Sequence, residues 1–171
     1  MHLKSFKHIS ILVIGVLLIL PSSIFGSPEK QAAGYSASVI KVIDGDSIKI
    51  NHDGQFGIVR LYGIDSPEWK QPYSRKAKLY LQKLILHKDI QVKALYMDKY
   101  SRIVALVYFQ GNLVNKLLVE KGLAWVHIYY CHMQMCEGWK RLEQHAKTKR
   151  IGFWREKNPI PPWVWKRIHK N

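Results

Sequence analysis

Three charged clusters in this sequence hold residue types suited to work on a phosphodiester: Val42-Ile43-Asp44-Gly45-Asp46-Ser47, Arg60-Leu61-Tyr62-Gly63-Ile64-Asp65-Ser66-Pro67-Glu68 and Asp98-Lys99-Tyr100-Ser101-Arg102. A phosphodiester is anionic, and water attacks it readily only when its equatorial and leaving oxygens face fixed positive groups. Arginine fits that need because its planar fork contacts two phosphate oxygens at once and keeps its proton at working pH. Arg60 lies between Val59 and Leu61. On a strand its side chain therefore leaves the face those two occupy and enters a groove rather than the core. Arg102 opens the run that follows Asp98 and offers a second fork from a separate hairpin.

The acids complete the set. Asp46 and Asp65 have no histidine or thiolate companions, so with a backbone carbonyl and waters they suit a hard cation, Ca²⁺ or Mg²⁺, rather than zinc. Asp44, Asp46, Asp65 and Glu68 carry four negative charges against two on Arg60 and Arg102, and one divalent ion neutralises the group. Glu68 stands three residues beyond Asp65 across a Ser-Pro turn, near enough to serve the same site without being a ligand. It is the candidate general base. A glutamate of ordinary pKa, about 4.3, abstracts a proton from water poorly, so a metal and a fixed hydrogen bond must assist it. Each cluster taken singly has a structural explanation: Asp-Gly marks a hairpin, Ser-Pro opens a turn, and a charged loop is commonly a solvated loop.

The elements that must position these residues show in the hydrophobic pattern. Ser38 to Ile43, Ser47 to Ile50 and Phe56 to Tyr62 alternate around Asp44-Gly45 and His52-Asp53-Gly54, a three-stranded meander. Tyr73 to His87 switches to helical period, with Ala77, Leu81, Leu84 and Ile85 on one face. Ile90 to Tyr96 and Ile103 to Phe109 form a second hairpin; Asn112 is placed to cap a helix running to Lys121 and Gly122, and Trp139, Leu142 and Ala146 mark a third helix ending near Gly152. The order βββαββαα predicts an α+β fold: a five-stranded OB-fold β-barrel with three α-helices. The stretch Asn158-Pro159-Ile160-Pro161-Pro162-Trp163-Val164-Trp165 is expected to run extended, its tryptophans either packing back on the body or offering exposed faces for base stacking.

In this order and with these spacings, Asp-Gly-Asp, Asp-Ser-Pro-Glu and Asp-Lys-Tyr-x-Arg resemble the staphylococcal nuclease (thermonuclease) family, from about Ser36 to Trp154. The resemblance implies an OB barrel and a Ca²⁺ cofactor bound by Asp46, Asp65 and the carbonyl of Ser66, with Asp44 supporting these ligands. Glu68 matches the family's general base, Arg60 and Arg102 its phosphate-binding arginines, and Lys99 and Tyr100 its contacts to a terminal phosphate and nucleotide. The implied reaction hydrolyses DNA and RNA at the 5′ P–O bond and leaves 3′-phosphate ends. Two departures stand out. The lysine-rich loop that the staphylococcal enzyme carries after its Pro-Glu pair is shortened here to Trp69 to Pro72, and a nucleotide-stacking tyrosine aligns with Ile128, with Trp125, Tyr129 and Tyr130 as possible substitutes. The complete charged set separates a nuclease from the alternative, a non-catalytic OB-fold nucleic-acid-binding module.

Composition and export signals agree with a polyanionic partner outside the cell. The chain has 171 residues, 47% hydrophobic and 23% charged, which excludes a disordered or fibrous class and allows one small core. Lys4 and Lys7 followed by the apolar run Ile9 to Leu20 read as a signal peptide over 1–26, an uncleaved anchor being the alternative. Its removal lowers the net charge of +15 by two, so the basic character belongs to the folded part. We expect a flexible start over 27–35, a nuclease domain over 36–157 and a basic Pro/Trp-rich tail over 158–171. The product would be secreted or periplasmic, monomeric, free of the membrane after signal cleavage and without a stable protein partner. Cys131 and Cys136 suit a disulfide in an exported chain, with free thiols or, alongside His127 and His132, a zinc site as alternatives.

Overall fold

A computed structural model describes residues 34–169. The expected signal peptide and residues 27–33 lie outside the described residues. Five strands carry the architecture: β1 (Tyr35–Val42), β2 (Ser47–His52), β3 (Gln55–Leu61), and, after the short β4 (Ile64–Asp65) and helix α1 (Ser74–Ile85), β5 (Asp89–Met97) and β6 (Ile103–Phe109). They pair antiparallel in the order β3-β2-β1-β5-β6, and a parallel pairing of β3 with β6 closes them into a barrel. The fold is the α+β OB type. A bulge between Val39 and Lys41 lets both Val39 and Val42 point inward despite their odd spacing. Helix α1 covers the barrel with Ala77, Leu81 and Ile85, all fully buried at four-residue spacing.

Beyond β6 the expectations need three corrections. Asn112 does not cap a helix. Gln110 and Gly111 both take positive φ (48° and 77°), the backbone of a tight primed hairpin turn, so Asn112–Leu113 returns as β7 against Tyr108 and Phe109, and α2 (Val114–Glu120) follows it. Short β8 (Trp125–Val126) pairs with β4, a contact that alternation over two residues could not reveal. The helices number four among the described residues: after α3 (Met135–Thr148) and a 3₁₀ turn at Gly152–Arg155, α4 spans Pro162–Ile168. Pro162 ends the extended run instead of prolonging it, because the first helical position needs no N–H and favours the φ that proline already has.

One polar residue organises the interior. Asn115, fully buried in α2, accepts from the Val107 amide at 3.0 Å and donates to the carbonyls of Tyr62 and Ala105 at 3.0 and 3.2 Å. These bonds satisfy backbone groups where β6 and the β3–β4 bend diverge, so the bend that leads to Asp65 is held in place by a helix.

Candidate active site

Strand register brings the three charged clusters together. Ser47 pairs with Arg60 across β2 and β3, and the Leu61 amide donates to the Asp46 carbonyl at 2.8 Å, which sets the Asp44-Gly45-Asp46 turn beside Arg60. The barrel-closing pairing sets Arg60 against Val104, and Arg102 lies two residues earlier on the same side of the strand path. Gly45 lets the turn approach: a Cβ there would lie 2.7 Å from the Ser66 side chain and 2.8 Å from Ala77. Only a residue without a side chain allows the first and second clusters to meet.

Asp46 and Asp65 are each more than 95% buried, at 4% and 3% exposure, and Arg60 bridges them. One guanidinium nitrogen lies 3.0 Å from Asp46 Oδ1, the other 2.7 Å from Asp65 Oδ1. Asp46 also accepts from the Ser47 hydroxyl at 3.2 Å and the Ser66 amide at 2.6 Å, while its own amide donates to Asp44 Oδ1 at 3.0 Å. Arg60 thus does leave the strand face of Val59 and Leu61, but its fork is occupied by carboxylates rather than held open for phosphate. The reason is electrostatic: three clustered acids share one buried cation. Burial, then the charge of Asp46, pushes Asp44 up to about 6 and Asp65 up to about 7.

That shortage of positive charge is the structural test of the expected metal, and the residues fit it. The donors are hard carboxylate oxygens, those of Asp46 and Asp65, with no thiolate or imidazole between them. Such oxygen donors suit a hard cation, Ca²⁺ or Mg²⁺, which takes backbone oxygen and water alongside carboxylates. Asp44, Asp46, Ser66 and Glu68 line a cavity of about 640 Å³.

A second cavity, about 580 Å³, is lined by Arg60, Asp65, Lys99, Tyr100 and Arg102. Arg102 is held in it by Asp98, with Nε and a terminal nitrogen each 2.7 Å from Oδ2. Asp98 Oδ1 meanwhile accepts from the amides of Tyr100 and Arg102 at 2.9 and 3.0 Å, which shapes the turn. These hydrogen bonds from Arg102 and Tyr100 outweigh burial and hold the Asp98 carboxyl below its usual range. Tyr100 is exposed, its ring 5.1 Å from Lys99 Nζ and 5.3 Å from the Arg102 guanidinium.

Glu68 is not free. Its carboxylate lies 2.8 Å from Nζ of Lys166, on α4, and its amide donates to Gln71 Oε1 at 2.9 Å. Burial alone would lower the Lys166 ammonium; Asp65 and Glu68 overcome this and raise it. The residues that sequence reasoning missed here are Lys166 and His127. His127, placed by the β4–β8 pair, shares the second cavity with Tyr130, Trp163 and Lys166. Burial, reinforced by Arg60 and Lys166, lowers its pKa. Of the three aromatic substitutes considered, Tyr130 lines this cavity, whereas Trp125 is buried and stacked on Phe153 with centroids 3.5 Å apart. Ile128 is exposed at the surface. Cys131 and Cys136 are bonded, Cα to Cα 5.7 Å, and the bond packs against Gly63 in the β3–β4 bend.

Comparison with known proteins places this arrangement. Residues 58–156 match the model of the staphylococcal nuclease homologue family. An uncharacterized endonuclease of Haemophilus influenzae is 34% identical over 94% of this chain and 86% of its own length. A micrococcal nuclease of Shigella flexneri is 32% identical over 81% of this chain and 84% of its own. A staphylococcal-like nuclease of Arabidopsis thaliana is 38% identical over 64% of this chain, which spans only 33% of that protein. With a matched domain that contains Arg60, Asp65, Glu68 and Arg102, the chain belongs to the staphylococcal nuclease family.

Proposed function

We propose that this protein is an exported, Ca²⁺-dependent, sugar-nonspecific endonuclease that hydrolyses phosphodiester bonds of DNA and RNA, breaking the 5′ P–O bond and leaving 3′-phosphate ends. The observation that carries the reading is the convergence of Asp46, Asp65, Arg60 and Glu68 around one buried charge cluster, with Arg102 on the wall of the adjoining cavity.

Asp46, Asp65 and the Ser66 carbonyl would hold the calcium ion, with Asp44 orienting Asp46 through its amide. When bound, the ion supplies the positive charge that lets an anionic phosphate and a hydroxide-like water share the site. Arg60 would contact one phosphate oxygen and Arg102, from the adjoining cavity, another. Glu68 accepts the proton of the attacking water as the new P–O bond forms. The bond to the 5′ oxygen breaks, and the leaving oxygen acquires a proton. Lys99 and Tyr100 receive the neighbouring phosphate and nucleotide. We further propose a monomer that needs no protein partner and is delivered to the periplasm or medium by residues 1–26.

The test is release of acid-soluble nucleotides from denatured DNA and from RNA, with Ca²⁺ and then with a chelator. Hydrolysis of both substrates that stops on chelation is the expected result. Hydrolysis that persists in chelator would overturn the metal dependence. The pairing of Glu68 with Lys166 favours one second reading, a non-catalytic binding module, and tight binding without cleavage in Ca²⁺ would establish it in place of the first. Cell fractionation, with sequencing of the exported protein's N-terminus, tests the leader.

A further inference from the structure

Helix α4 turns one face toward the cavity that holds Arg102. Trp163 and Lys166 are three residues apart and so share a side of the helix; both line that cavity, and Lys166 reaches Glu68 at 2.8 Å. The helix is not lying loosely on the surface. Gln71, 5% exposed, donates from Nε2 to the Ile160 carbonyl at 2.6 Å, Pro162 is buried, and Trp165 faces away into a separate small cavity with Phe153 and Ile160. The carbonyl of Pro161 accepts from the amides of Val164 and Trp165 at 3.0 and 2.9 Å, which starts the helix tightly.

Trp163 therefore stands at a fixed place, its ring 5.0 Å from that of His127, which in turn lies 4.5 Å from Tyr130. These three rings form an aromatic wall. Arg60, Lys99, Arg102 and Lys166 line the same space, and Asp65 and Asp98 among them pair with the two arginines. A cavity of about 580 Å³ with an aromatic wall and a wall on which four basic groups outnumber two carboxylates suits a nucleotide unit: the base has an apolar face to stack and the phosphate a charge to place. A base inside a duplex has both faces covered by its neighbours and reaches such a wall only after unstacking.

We propose that Trp163 is a substrate-contacting residue, the platform on which an unpaired base stacks, and that α4 thereby selects single-stranded over duplex nucleic acid. This rests on the nuclease reading for its consequence but not for its binding chemistry. The pocket differs from a bare basic groove in that its aromatic wall is completed by a helix from beyond the barrel. Lys166 enters on the same helix and pairs with Glu68 at 2.8 Å.

The experiment compares wild type, Trp163→Ala and Trp163→Phe on one labelled oligonucleotide, single-stranded and as a blunt duplex, under saturating Ca²⁺, with thermal melting of each variant. Loss of one stacked base predicts that Trp163→Ala raises KM for the single strand about tenfold while kcat stays within about threefold, with KM for the duplex changing less than about twofold. Trp163→Phe, which keeps an aromatic face, restores most of the single-strand KM. An unchanged single-strand KM, or an equal rise on both substrates, overturns the proposal. Faster cleavage of both by Trp163→Ala also overturns it and makes α4 a cover that hinders the site. Anisotropy of the same single-stranded oligonucleotide in chelator separates the two readings: weaker binding by Trp163→Ala supports the platform even if no cleavage is ever seen. Undiminished binding removes the platform even from an active nuclease.

Discussion

The two walls of the Arg102 cavity are built by different means. On the barrel side, Arg60 and Asp65 are fixed by strand register and by the Leu61 amide to the Asp46 carbonyl, backed by a turn whose glycine lets it press on Ser66. On the α4 side, Trp163 and Lys166 depend on a buried proline, one side-chain hydrogen bond from Gln71, and ring contacts. Cooperative ladders hold the first wall, and a few local contacts hold the second. The contrast suits a division of labour in which the barrel performs the chemistry and the appended helix chooses what reaches it.

The sharpest way to break this division is through Glu68, which follows Asp65 along the chain and pairs with Lys166 of α4. Glu68→Gln keeps the size and a hydrogen bond but loses the base, so kcat should fall about a thousandfold with the melting temperature nearly unchanged. Single-turnover hydrolysis of denatured DNA measures it. A fall of less than about tenfold would show that the proton goes elsewhere, and the barrel side would lose its claim to the chemistry.

Arg102→Ala comes next. The arginine is held by Asp98 on a turn shaped by two amide bonds, so its removal leaves the backbone supported. One lost phosphate-facing donor predicts about a hundredfold lower kcat. If KM rose instead with kcat intact, Arg102 would belong to substrate capture, on the side of the division given to α4.

How far this division could be read before folding follows from the range of the signals. The barrel strands announce themselves by alternation and by Asp-Gly turns, so Asp46, Arg60 and Asp65 could be assigned to loops and strand ends from local pattern alone. The contact of Glu68 with Lys166 spans most of the folded chain, and nothing in either neighbourhood points to the other. The prolines of 158–162 read as helix breakers, yet the last of them starts α4, because the same missing N–H that disrupts a helix interior is harmless at its first position. Asn112 misled in the opposite direction: its type favours a cap, but the turn at Gln110-Gly111 had already committed it to a strand. Arg60 was legible as a groove residue and not as a bridge, since which carboxylates it meets depends on register across three elements.

Gly45→Ala probes the barrel wall without touching a reacting group. The added methyl meets Ser66 and Ala77 closer than van der Waals contact allows, so the turn carrying Asp44 and Asp46 must shift. Destabilisation of about 2 kcal/mol is expected by chemical denaturation, together with weaker Ca²⁺ binding by calorimetry. Loss of stability with unchanged Ca²⁺ affinity would mean that the turn does not position the metal ligands.

The smallest effect belongs to Gln71→Ala, and it bears on the comparison most directly because Gln71 joins the walls: its carbonyl oxygen accepts from Glu68 and its amide donates to Ile160. Losing two part-buried hydrogen bonds costs about 1 kcal/mol each, so melting should drop by only a few degrees. The informative quantity is its coupling to Trp163. If Gln71 acts by docking α4, the double variant with Trp163→Ala should have the single-strand KM of Trp163→Ala alone, since the platform is already gone. Additive effects on KM would instead assign Gln71 to the Glu68 loop, and the helix would then hold its place by Pro162 and Trp165 without help from the barrel.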